Sequence, residues 1–174
     1  MSRGSILRPF KFCLSPLTPE RRHGMPSSQD SPVTFRRVPA GLNRRDLRGF
    51  ACVLQEEVAG GEEFHVLITG DRTLQRLNRE FRGKDSPTDV LSFPAMDGKY
   101  LGDIAISWQR AAAQAGELHH HLEQELQILM LHGLLHLLGM DHERARERGK
   151  MARAESDWLQ RLGLPAGLIE RAHA

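Results

Sequence analysis

The segment His132-Gly-Leu-Leu-His136-Leu-Leu-Gly139-Met-Asp-His142 sets three imidazoles in an order that suits a metal ion. Residues four apart on a helix lie about 40° apart around its axis, so His132 and His136 project from one face, one turn apart. Gly139 can adopt the left-handed conformation that ends a helix, which lets the chain bring His142 back toward the same ion. Three neutral imidazoles on zinc leave a fourth position for water, which marks a catalytic rather than a structural site. The ion would lower the pKa of that water to about 7. For the HxxxH pair alone, the simpler account is two histidines housed in a Leu-rich helix. Imidazoles in so apolar a stretch are costly to bury without partners, and the pair, the helix breaker and the third histidine come in the order a metal needs. The reading is one zinc per chain on His132, His136 and His142. Imidazole ligands suit Cu, Fe and Ni as well, so availability decides among them.

The ligand spacing is close to that of the metzincin proteases, HExxHxxGxxH, in which the Glu beside the first His is the general base. Here that position is Gly133. A zinc metallopeptidase is therefore an alternative that lacks its proton acceptor. Arg82 is the other candidate for chemistry, because a guanidinium can bind a phosphate through two parallel hydrogen bonds and offset charge developing on it. A cation at the end of a helix is also favoured by the macrodipole whatever its function. On the same helix Arg72, Arg76 and Arg79 fall within about 60° of one another, opposite Leu74, Leu77 and Phe81. They read as a solvated face that could also track a nucleic-acid backbone. Asp141 suits either a hydrogen bond to a ligand imidazole or a helix cap. Asp85, Asp89 and Asp103 have no assigned role, Ser92 has no visible base, and His119, His120 and His121 read as solvated surface residues.

The elements that must position these groups follow from periodicity. Val33, Phe35 and Val38 suggest a strand, and Asn43 caps a helix whose Leu47, Phe50, Leu54 and Val58 share a face. Phe64 to Thr69 is a strand, and Asp71 caps a helix to about Arg82 that Gly83 stops. Strands near Thr88 to Phe93 and Tyr100 to Ser107 form a hairpin across Pro94, Asp97 and Gly98. The rest is helical: a short Ala-rich helix, a long one from about His119 to Leu138, and a charged one from about Glu143 to Arg161. The fold class is α+β, a single domain with a small mixed sheet packed against about five helices.

Composition limits what surrounds this domain. The chain has 174 residues and a formal charge of +2, too little for nucleic-acid binding by bulk electrostatics, so any RNA contact must be local. Residues 1–31 carry Arg3, Arg8, Lys11, Arg21 and Arg22 against Glu20 and Asp30, with little apolar periodicity. They are expected to be a disordered tail, with residues 32–174 as the folded domain. An Arg-rich, acid-poor segment also has the look of a transit peptide, and Met25 is a candidate start. Cys13 and Cys52 are far apart and make no CxxC, so no disulfide partner is expected and a reducing cytoplasm fits. The stretch from Ile128 to Leu138 is far shorter than the roughly 20 apolar residues of a membrane span, so no membrane is expected.

Three blocks together resemble the YbeY family of bacterial endoribonucleases: Phe81-Arg-Gly-Lys-Asp-Ser-Pro-Thr-Asp-Val-Leu-Ser-Phe-Pro94, Leu101-Gly-Asp-Ile104 and the His132 to His142 segment. The resemblance runs from about Phe64 to His142 and leaves residues 1–31 outside. It implies a metal-dependent endoribonuclease directed at single strands, acting in 16S rRNA 3′-end maturation and ribosome quality control. Its partners would be ribosomal RNA and the small ribosomal subunit. It also implies one α+β domain in which His132, His136 and His142 hold zinc, and it places the family's functionally important arginine at Arg82. Met140 stands where many members have Tyr, a change of packing rather than of ligands. A ribosome-assembly factor with structural zinc, which binds RNA without cutting it, is the alternative of another class.

Overall fold

The computed structural model describes residues 31–96, 98, 100–140, 145–166 and 168. The elements are β1 (Val33–Phe35), α1 (Arg44–Val53), a π-helical turn (Leu54–Val58), β2 (Glu63–Thr69), α2 (Asp71–Arg82), β3 (Val90–Pro94), β4 (Tyr100–Ser107), α3 (Trp108–Glu117), α4 (Leu122–Leu137) and α5 (Ala145–Leu162). The expected α+β class, with five α-helices on one small mixed sheet, is what the structure contains.

The sheet has the order β1-β2-β4-β3. β1 and β4 both run parallel to β2, while β3 lies antiparallel to β4 at the edge, with Ser92 opposite Ile104. Successive side chains on a strand point to opposite faces, so β4 divides its residues between two cores. Ile104 and Ile106 join Val66 and Ile68 in the larger core, with side chains of α1, α3, α4 and α5. Ala105 faces the other way, where it meets Leu91 and the α2 residues Leu74 and Leu77. Thus α2 covers one face of the sheet and α4 lies on the other. That α2 presents Leu74 and Leu77 inward and Arg72, Arg76 and Arg79 to solvent is the division expected from its periodicity.

α4 is the central element. Apart from His132 and Gly133, its buried residues from Leu126 to Leu137 are Leu, Ile and Met, and they occupy every side of the helix. A helix apolar all round must be enclosed, and here β3, β4, α1, α3 and α5 enclose it. Polar bonds fix its start: Glu123 accepts from the Asn43 backbone N–H (3.0 Å), and Gln127 donates to Asp46 (2.9 Å). Asn43 caps α1 as expected, accepting from the Asp46 N–H at 3.2 Å.

Several boundaries differ from expectation, among them that of β1, which ends at Phe35 and leaves Val38 outside the strand. Asp71 is the first residue of α2 rather than its cap, because Gly70 occupies that place; a Cβ on Gly70 would stand 2.7 Å from Gln109 Oε1. That same oxygen accepts from the Asp71 N–H at 2.8 Å, and the Asp71 carboxylate takes the Ser107 hydroxyl. β3 begins at Val90 and not near Thr88, since Asp89 Oδ1 accepts from both the Val90 N–H (2.8 Å) and the Thr88 hydroxyl (3.2 Å), closing a turn. α4 begins at Leu122, because His119 has φ 57 and breaks the helix. Here one expectation fails. His119 and His121 are exposed, but the His120 side chain is buried against Glu125, its Nε2 lying 2.6 Å from Oε2. A carboxylate enclosed at the start of an apolar helix needs a partner, and His120 supplies one.

Candidate metal centre

His132 and His136 stand on consecutive turns of α4, with ring centroids 4.9 Å apart and planes at 74°. His132 is buried, 4% exposed, and His136 is half-buried in the last turn. The helix ends as the Gly139 position requires. Gly139 has φ 83, its N–H bonds to His136 O (3.0 Å), and the Met140 N–H bonds to Leu135 O (3.0 Å). These paired bonds satisfy carbonyls that a helix end otherwise leaves open, and the left-handed residue ends the helix. Met140 packs against the larger core. Asp141 and His142 lie outside the described residues, so the third expected ligand and the Asp141 alternatives are not placed. Among the described residues no group of three His, Cys, Asp or Glu could hold a metal. The two described imidazoles do fit a shared ion by chemistry. His132 Nδ1 lies 2.7 Å from Glu155 Oε1 of α5, which leaves Nε2 to ligate.

Gly133 has a packing reason. A Cβ there would stand 2.7 Å from Ile104 Cγ2 and 3.2 Å from Ser92 Oγ. The helix thus rests directly on β4, and no carboxylate can occupy the place of the metzincin base without displacing Ile104. The Ser92 hydroxyl donates to Gly133 O at 3.0 Å, so this serine ties β3 to the helix between the two histidines.

Arg82 is exposed in the last turn of α2, and Gly83 with φ 68 closes that helix. It therefore lies in the layer across the sheet from His132 and His136. The segment between Gly83 and Asp89 runs from it to β3. Asn78 donates to Ser86 O (2.8 Å) and Gln75 to Asp85 Oδ1 (3.1 Å), which fixes this segment along α2. Gln114 donates to Asp89 Oδ2 (3.0 Å) and ties its end to α3. Asp85 and Asp89 are thus loop-shaping carboxylates.

Asp103 belongs to a separate cluster. It accepts from Tyr100 Oη (2.7 Å) and lies 3.7 Å from His65 Nδ1, while His65 Nε2 meets the Thr34 hydroxyl at 2.9 Å. Burial pushes the Tyr100 phenol well above its usual range, with the bond to Asp103 and the charges of Asp103 and Glu63 adding to it. For His65 two influences oppose. Burial lowers the imidazole and the Asp103 charge raises it, and burial prevails.

The Glu155 contact was not drawn from the sequence, although a signal was present. Met151, Glu155 and Leu159 recur at helical spacing, and all three are buried. An acid in line with two core residues is a buried charge in need of a partner.

The family model "Endoribonuclease YbeY" matches residues 47–163. An Endoribonuclease YbeY of Solibacter usitatus is 59% identical over 150 residues, covering 86% of this chain and 100% of that relative. One from Roseiflexus sp. is 51% identical over 126 residues, covering 65% of this chain and 79% of the relative. The solution structure of a Thermotoga maritima protein superposes with a TM-score of 0.54 at 28% identity, covering 74% of this chain and 87% of that one.

Proposed function

We propose that this chain, which belongs to the YbeY endoribonuclease family, is a zinc-dependent endoribonuclease that hydrolyses single-stranded RNA in the cytoplasm. Its substrate is 16S rRNA on the small ribosomal subunit, cut in 3′-end maturation and in ribosome quality control. The observation that carries the metal reading is the pair His132 and His136, one turn apart on α4 and followed by the left-handed turn at Gly139. His132, His136 and His142 would hold one zinc per chain. When bound, such an ion would supply Lewis acidity for phosphodiester hydrolysis.

The chain's own residues supply the rest. The apolar walls of α4 and β4 keep bulk water from one side of His132, which strengthens electrostatic interactions there. Arg82, although in the layer across the sheet from the histidine pair, would reach the scissile phosphate where the RNA strand passes the edge strand β3, binding it through paired hydrogen bonds and offsetting charge that develops on it. Arg72, Arg76 and Arg79 hold neighbouring phosphates of the same strand. The metallopeptidase alternative is disfavoured by the close packing of Gly133 on Ile104, which leaves no room for the carboxylate that peptide hydrolysis needs.

The test combines metal analysis with single-turnover cleavage of a single-stranded RNA. One zinc per chain, activity abolished by a chelator and restored by zinc, and low occupancy in His136→Ala are expected. Arg82→Ala is expected to stay folded and zinc-loaded while cleaving on the order of a hundredfold more slowly, with Arg82→Lys recovering part of the loss. If Arg82 served only the helix end, its removal would cost about 0.3–1 kcal/mol of stability and spare the rate. Zinc bound with RNA held but never cut would make the protein an assembly factor, and chelator-insensitive cleavage would overturn the metal reading.

A further inference from the structure

Glu155 is 0% exposed and lies on α5 between the buried Met151 and Leu159, a place where helical spacing calls for an apolar residue. Its Oε1 is 2.7 Å from His132 Nδ1, and both side chains are withdrawn from water, at 1% and 5% exposure. A carboxylate oxygen accepts hydrogen bonds, so the geometry suits Nδ1 as the donor and leaves Nε2 on the side of the ring away from Glu155. The ring that α4 presents beside His136 is thereby held by a residue 23 positions further along. The contact also spans the turn at Gly139 and the whole segment that leads into α5.

We propose that Glu155 is a positioning residue for the metal: it holds His132 as the Nε2-ligating tautomer, with its plane fixed, before any ion arrives. The inference rests on the zinc reading above for its ligand, but the tautomer it assigns can be read in the metal-free protein. A carboxylate behind a ligand imidazole changes metal affinity typically by about 10- to 100-fold, whereas an ordinary buried ion pair changes only stability.

The experiment uses the full-length chain, wild type and Glu155→Gln. In metal-free wild type, nitrogen NMR of the imidazole is expected to find His132 protonated on Nδ1. Competition with a chromophoric chelator is expected to show zinc bound about 10- to 100-fold more weakly by Glu155→Gln, with cobalt following the same order. Glu155→Asp keeps the charge but is one methylene shorter, and an intermediate affinity is expected. Nδ1 found unprotonated in the wild type would overturn the proposal, whether or not the variants fold. So would a folded Glu155→Gln that binds zinc within about twofold of wild type. If the wild type binds no zinc at all while its His132 is the Nδ1–H tautomer, it is the zinc reading that fails, and Glu155 as a metal-positioning residue falls with it.

Discussion

A Cβ on Gly133 would come within 2.7 Å of Ile104 Cγ2, a branched atom close to the backbone that cannot swing aside as a long side chain would. Two effects of Gly133→Ala then oppose each other. Alanine in a helix interior gains about 1 kcal/mol over glycine, while overpacking a filled core costs about 1–3 kcal/mol. The clash is expected to win, leaving the variant less stable by about 1 kcal/mol in urea denaturation; a stabilised variant would show that Ile104 gives way. The sequence displayed the missing carboxylate at this position, but not the contact that excludes it, because periodicity says which side of a helix is buried and not how near the neighbouring strand comes. His65 yields a prediction with a definite sign. Burial lowers its pKa below the ordinary 6.5, and Asp103 only partly opposes this. Below that pH the unfolded chain takes up a proton that the folded chain resists, so the folded state loses stability as pH falls. Denaturation at pH 7.5 and pH 5.5 is expected to show a smaller loss over that interval in His65→Gln than in wild type. Equal losses would mean that His65 does not contribute.

At the scale of elements, the proposed function divides the arginines of α2 between holding RNA and cutting it. Arg72, Arg76 and Arg79 are exposed along one face, and the ion pair of Arg79 with Asp85 at 3.8 Å lies in water, where it is worth little. Replacing all three by Gln is expected to weaken RNA binding and to flatten its salt dependence by about 2 in the log-log slope, at about 0.7 per phosphate on a single strand. The cleavage rate at saturating RNA should stay near wild type, unlike that of Arg82→Ala. An unchanged salt slope would return these arginines to the status of a solvated face. This helix was legible in the sequence because its two faces differ in kind, and so was its end, where Gly83 takes the left-handed conformation at φ 68. The imidazole pair and the turn at Gly139 were legible for the same reason, being local. Partners across elements were not. Nothing near His120 in the sequence marks Glu125 as buried beside it, and α4, apolar on all sides, has no periodicity to say which face meets α5.

On the scale of the whole molecule, the charge is divided unevenly. The full chain carries +2, and residues 1–30 hold five Lys or Arg against Glu20 and Asp30, a balance of +3, so residues 31–174 carry −1. The described core draws its residues from Val33 to Leu168. The first bonds of the sheet begin just before it: Ser31 Oγ accepts from the Val33 N–H (3.3 Å), and Pro32 O accepts from the Val66 N–H (2.7 Å). Removal of residues 1–30 is therefore expected to leave the thermal midpoint and the cleavage rate at saturating RNA nearly unchanged. Loss of the +3 segment should lower RNA affinity at low salt, with the difference fading as salt screens it. Cutting two residues further would remove the Ser31 and Pro32 bonds at the edge of β1, and a lower midpoint is expected only there. A midpoint lowered by many degrees in the protein beginning at Ser31 would show that residues 1–30 pack on the domain, and that the boundary lies earlier than the sheet implies.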